Sequence, residues 1–142
     1  MKRVVWGLVV LLLCWGTGFA EQYPIDPQKN CLFLGKPFNP AEKAVKVKLA
    51  MNTRYRVGLS GEAFLSNQTG AEADPLPGVV LFYATNEQDG FATLYRVLKP
   101  GETIRFTTPN EEDPNVFLLA FVMDYWEQSI NTGKYVLTVD KE

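Results

Sequence analysis

The sequence predicts an all-β protein, a single antiparallel β-sandwich or jelly roll of about seven to eight strands, and three observations carry that expectation. Short runs rich in Val, Ile, Leu, Phe, Tyr and Thr recur through residues 44–142, and these residue types fit a pleated, half-buried surface. Several runs alternate apolar and polar side chains at period two, with Gly, Pro, Asn and Asp between them at turn spacing. No helical period of useful length interrupts the series.

The chain opens with Met1-Lys2-Arg3, continues through an apolar run from Val4 to Trp15 broken only by Gly7, and reaches Gly16-Thr17-Gly18-Phe19-Ala20. A basic start, an apolar stretch and a small-residue site, in that order, make residues 1–20 an expected signal peptide, cut before Glu21. The apolar run is too short to span a bilayer, which takes about 20 residues. The chain is therefore expected to be exported, periplasmic or extracellular, with no membrane span after cleavage. Residues 21–43 hold Pro24, Pro27, Pro37 and Pro40 around one short apolar run, Cys31–Leu34. Proline removes a ladder donor and fixes φ, so this segment reads as an extended lead-in with at most one strand.

From Ala44 the pattern changes. Val45, Val47 and Leu49 alternate with Lys46 and Lys48, and beyond Met51-Asn52 the residues Tyr55, Val57 and Leu59 alternate with Arg54, Arg56 and Gly58. Two alternating runs about a short turn predict an antiparallel hairpin with a cationic outer face. Ser60 to Gly78 gathers turn residues, including Asp74-Pro75-Leu76-Pro77-Gly78, and reads as one long loop. Within it Asn67-Gln68-Thr69 fits the N-glycosylation pattern, which has force only in a eukaryotic secretory route. Val79–Tyr83 is a strand ending at the turn-like Asn86–Gly90, Phe91–Leu98 is the next, and Lys99-Pro100-Gly101-Glu102 is a type II turn returning into Thr103–Thr107. Val116–Met123 is apolar without alternation. That predicts a central strand covered on both faces, with Phe117, Leu119, Phe121 and Met123 on one side, Val116, Leu118, Ala120 and Val122 on the other, and an exit to water at Asp124. Gly133 leads into the last strand, Tyr135–Val139.

Composition narrows the chemistry. Losing Lys2 and Arg3 with the leader reduces the 14 basic residues to 12 against 16 acidic ones, a net charge of −4, which argues against nucleic acid as a partner. Histidine is absent, removing Ser-His-Asp and Cys-His catalysis and His-ligated zinc. Cys14 leaves with the leader, so Cys31 has no internal partner; among Leu and Phe neighbours it is expected to be buried and unreactive. No phosphate loop or dinucleotide fingerprint is present. The chain is expected to be no enzyme and to hold no cofactor or metal. The remaining enzymatic option is a carboxylate pair of the glycoside-hydrolase kind drawn from Glu111, Glu112, Asp113, Asp124 and Glu127, against which solvated loop surface is the favoured reading. A Ca²⁺ site at Asp89, Asp113 or Asp124 lacks the spaced acidic loop that would support it.

Binding is what remains. Tyr125 and Trp126 follow the most apolar strand and precede Glu127-Gln128-Ser129. An aromatic pair flanked by Asp124 and Glu127 at a sandwich end is a recognised way to hold sugar rings or partner side chains. Trp126 folded back as a cap on the core is the competing reading.

The segment Tyr55-Arg56-Val57-Gly58-Leu59-Ser60-Gly61, the Pro100-Gly101-Glu102-Thr103 turn and the terminal Gly133-Lys134-Tyr135-Val136-Leu137-Thr138-Val139 together resemble bacterial pre-peptidase C-terminal domains, over roughly Ala44–Val139. The resemblance implies a small secreted β-sandwich without catalytic activity, of a kind usually appended to exported enzymes. The long Ser60–Gly78 segment and Asp124-Tyr125-Trp126 depart from that pattern, and here the module is expected to make up the whole mature chain. The expected function is that of a non-catalytic binding or structural module of the bacterial envelope or secretome. Its partner would be another envelope or secreted protein, or a polysaccharide. The alternatives are a carbohydrate-recognition module and, third, a carboxylate-based glycoside hydrolase.

Overall fold

A strand of period-two alternation hides one face only, so each such strand needs a second apolar layer opposite it. The computed structural model describes residues 20–33, 40–66, 73–84, 92–109, 116–124 and 130–142, and places ten strands among them in two facing sheets. The strands are β1 (Glu21–Ile25), β2 (Cys31–Phe33), β3 (Val45–Leu49), β4 (Arg54–Ser66), β5 (Ala73–Pro75), β6 (Val79–Ala84), β7 (Ala92–Leu98), β8 (Thr103–Thr107), β9 (Val116–Asp124) and β10 (Ile130–Lys141), with one helical turn, α1 (Pro40–Lys43), between β2 and β3. The fold is an all-β sandwich. No helix among the described residues is long and apolar enough to cross a membrane.

In the first sheet β10 lies between β1 and β4. The free side of β4 is shared by β8, along Arg54–Gly58, and β5, along Phe64–Ser66. The second sheet repeats the plan. There β9 lies beside β6, which pairs β7, and its other side is shared by β3 and β2. Every pairing is antiparallel except β2 with β9. The core forms where inward residues of the two sheets meet, Val57, Leu59, Tyr135 and Leu137 from one and Leu81, Leu118, Ala120 and Val122 from the other. The Tyr135 hydroxyl, fully buried, donates to the Leu76 carbonyl at 2.8 Å, as a phenol taken from water requires.

β9 is the central strand the unbroken apolar run predicts. Val116, Leu118, Ala120 and Val122 enter the main core, while Phe121 packs on the opposite face with Leu32 and Val80 in a second cluster edged by Ala44 and Met123. Four expectations are corrected. β3 and β4 form no hairpin: β3 pairs β9 and β4 pairs β10 and β8, so the chain arches from one sheet to the other at Met51–Thr53. The turn at Lys99–Glu102 is present, with Gly101 at φ 84° and the Glu102 amide donating to the Lys99 carbonyl at 3.0 Å, but it too leads across, from β7 into β8 of the facing sheet. Strands on opposite layers both alternate, and alternation alone does not say which layer a strand joins. Residues 21–43 carry two strands, one in each sheet, where at most one was expected. Residues 60–78 are not one loop, because β4 continues to Ser66 and β5 pairs with its end.

Candidate functional site

The outer face of the first sheet carries a notch whose floor is a missing side chain. Gly58 sits mid-strand in β4, with Thr103 of β8 beside it on one flank and Thr138 of β10 on the other. A side chain at Gly58 would project between two threonines. Its absence leaves a groove of about 280 Å³, bounded also by Arg56, Ser60, Glu102 and Asp140. Glycine in a strand interior lowers strand stability and often marks a place where a ligand approaches the backbone. Here no positive φ demands it, and an added Cβ would meet Thr103 Oγ1 at 3.4 Å, an ordinary contact.

The walls are polar and nearly balanced in charge. One register step from Gly58, Arg56 lies between Asp140 and Arg105, and its Nη2 donates to Asp140 Oδ2 at 2.5 Å. Arg105 and Arg54 both bind the Glu142 carboxylate, at 3.0 and 3.1 Å. Glu102 accepts the Lys99 amide at 3.0 Å and faces Arg96 at 3.9 Å. Such exposed pairs add little stability, about 0–1 kcal/mol each. They do hold charged groups in fixed orientation beside the Thr103 and Thr138 hydroxyls, an arrangement able to donate to and accept from a neutral, hydroxyl-bearing ligand.

At one end of the sandwich a second polar group is buried. β9 ends at Asp124, which lies opposite Phe33 in the register and is 1 % exposed. The expected exit to water at this residue is therefore not observed; its parity with Val122 turns it toward the space between the sheets. Asn131 at the start of β10, also buried, donates from Nδ2 to the Pro27 carbonyl at 2.9 Å and to Cys31 Sγ at 3.6 Å, and its backbone amide donates to Gln28 Oε1 at 2.7 Å. Its Oδ1 has no hydrogen-bond partner. The turn it fastens is itself closed by Asp26 Oδ1, which accepts the Gln28 and Lys29 amides. Those two amides hold the Asp26 carboxyl below its usual range. Cys31 is fully buried, and desolvation first, the Asp124 charge second, push its thiol up to about 11.

Of the expected binding residues, Asp124 is buried, and Tyr125, Trp126 and Glu127 lie outside the described residues, as do Asn67, Asp89, Glu111, Glu112, Asp113 and residues 1–19. Among the described residues no three metal-ligating side chains come together. The groove over Gly58 was missed in the sequence, though its signal was present: a glycine standing where the alternation of β4 calls for a side chain. Comparison of the chain with protein-family models, with curated proteins and with solved structures finds no match in any of the three.

Proposed function

We propose that this chain is an exported, non-catalytic β-sandwich module that binds a partner of the bacterial envelope or secretome, and that the groove over Gly58 is its recognition site. The single observation that carries the reading is the Thr138–Gly58–Thr103 row. A strand-destabilising glycine sits between two outward hydroxyls, beside an oriented Arg56–Asp140 pair, at a position where the backbone does not need glycine. The near balance of charge and the hydroxyl lining favour a carbohydrate as the ligand class. The leader-like N-terminus supports export, and the resemblance to pre-peptidase C-terminal domains supports a secreted, non-catalytic sandwich.

The test separates binding from stability. Replacing a strand glycine with alanine gains about 0.5–1 kcal/mol where the backbone conformation allows it. Gly58→Ala is therefore expected to raise the melting temperature while weakening retention on a panel of bacterial polysaccharides, and Gly58→Val is expected to abolish retention. Unchanged binding in Gly58→Val would remove the groove from the reading. Trp126→Ala weakening retention without lowering the melting temperature would move the site to the sandwich end. Cleavage of any polysaccharide in the panel, lost on replacing Glu111 or Glu127, would replace the module with an enzyme.

A further inference from the structure

At one edge of the sandwich β3 faces the end of β10, Val139 and Lys141, together with Tyr55 and Glu21, across a groove of about 440 Å³. One wall consists of four successive residues of β3 and its exit, Val47-Lys48-Leu49-Ala50. Because neighbouring side chains of a strand point to opposite faces, four in a row mean that the wall is the strand's backbone edge and not one of its faces. β3 pairs β9 on its other side and, among the described residues, nothing else. In an antiparallel ladder alternate residues turn both N–H and C=O away from the partner. Along Val45–Leu49 this edge therefore turns backbone donors and acceptors into the groove, while at its exit the Ala50 amide and carbonyl are already taken by the Tyr55 and Thr108 hydroxyls.

We propose that the outer edge of β3 receives an extended acidic peptide segment from a partner protein by strand addition. Charge selects the occupant. Lys48 is exposed on the rim, and across the groove Lys141 continues the inward-facing register of Tyr135, Leu137 and Val139 past the end of the core. Neither lysine takes part in an ion pair among the described residues. The acid on the same rim, Glu21, already accepts the Tyr23 hydroxyl. Lysines along an edge strand repel a second identical edge, so two copies of β3 are poor partners for each other. An incoming strand carrying Asp or Glu meets attraction at the same positions. Main-chain hydrogen bonds supply affinity, and the lysines supply the choice of sequence. The segment would lie beside Val47 and Leu49 of β3 and Val139 of β10, which favours apolar residues alternating with the acidic ones.

The probe is a synthetic heptapeptide alternating glutamate and valine, titrated into the isotopically labelled protein and followed by amide chemical shifts. Shifts centred on residues 45–50, and binding that weakens with added salt, are expected. Lys48→Glu combined with Lys141→Glu should weaken binding by roughly tenfold or more. Both lysines are exposed, so the fold should persist; should the double variant lose its cooperative melt, Lys48→Ala and two altered peptides decide the matter. A peptide N-methylated at every internal residue, which leaves neither edge a donor, should fail to bind, and so should one with lysine in place of glutamate. An unchanged spectrum, equal binding of either altered peptide, or shifts confined to β7 would each overturn the proposal. So would self-association of the free protein through the same amides, which would mean that a second copy occupies the edge.

Discussion

Gly61 and Gly133 show how much one missing carbon can decide. In the β4–β10 ladder each sits at positive φ, 94° and 89°, and an added Cβ would lie 2.2 Å from the Lys134 carbonyl oxygen in one case and 2.3 Å from that of Glu62 in the other. The obstacle is backbone of the paired strand, which cannot swing aside as a flexible side chain would. Gly133→Ala is therefore expected to cost about 3 kcal/mol, from left-handed strain and clash together, read as a lowered denaturation midpoint with unchanged slope. The same change at Gly58 should be stabilising, so the contrast tests the reading of both. Cys31 gives a second prediction at this scale. Burial and the nearby Asp124 keep its proton to about pH 11 in the folded state, whereas an exposed thiol releases it near pH 8.5. The folded state thus binds the extra proton between those values, and its contribution is complete below pH 8.5 and lost as the pH rises through 11. A loss on the order of 2 kcal/mol is expected over that window in the wild type. It should be absent in Cys31→Ala once the alkaline titration of Tyr23, itself raised to about 12, is subtracted through the difference. Slow labelling of native protein by a thiol reagent at neutral pH is the accompanying outcome, and rapid labelling would contradict the burial.

Elements show where the sequence was legible and where it was not. The run at β9 could be read down to which side chains share a face, because only a strand covered on both sides tolerates such apolarity, but not to its end, since Asp124 stays in the strand and is buried. β2 and β5, at three residues each, are too short to display a period. The partners of β3 and β4 were unreadable for another reason: a hairpin and an arch between sheets present the same alternation, and the difference lies in a hydrogen-bond network assembled from distant residues. Asn52 adopts φ 46° at the corner, and the Thr108 hydroxyl, 55 residues away from Thr53 in sequence, donates to the Ala50 carbonyl at 2.6 Å and accepts the Thr53 amide at 2.9 Å. The Tyr55 hydroxyl takes the Ala50 amide at 2.7 Å. Thr108 is buried, so Thr108→Val would leave the Thr53 amide and the Ala50 carbonyl without these bonds. A cost of about 2 kcal/mol is expected, whereas Thr108→Ser should retain most of the stability. Equal stability of the Val and Ser variants in urea titration would mean that the hydroxyl does not hold the arch. The Gly58 groove was half legible, since the glycine stands out in its run while the two threonines that make it a notch come from strands 45 and 80 positions away.

At the scale of the whole molecule, both sheets follow one plan: a long central strand with two short strands sharing one of its edges, while the chain crosses between the layers six times, from β1 to β2, β3 to β4, β5 to β6, β7 to β8, β8 to β9 and β9 to β10. That plan leaves few pairings between neighbours in sequence. β6 with β7 and β4 with β5 are local; β4 with β8, β3 with β9 and β1 with β10 are not. The last of these joins Glu21–Ile25 to Tyr135–Val139, the first strand to the last. Architectures dominated by distant pairings fold slowly, because chain closure must precede the contacts that reward it. A nascent chain therefore has no completed first sheet until residue 139 has been made. Truncation before Ile130 is expected to leave the chain open to protease throughout residues 54–66, since β4 then loses its longest partner; protection of that segment in the truncated chain would contradict this. The export proposed above would give that delay a use: for a channel that admits only unfolded polypeptide, a molecule whose β1 waits for β10 would remain threadable for nearly the whole of its own synthesis.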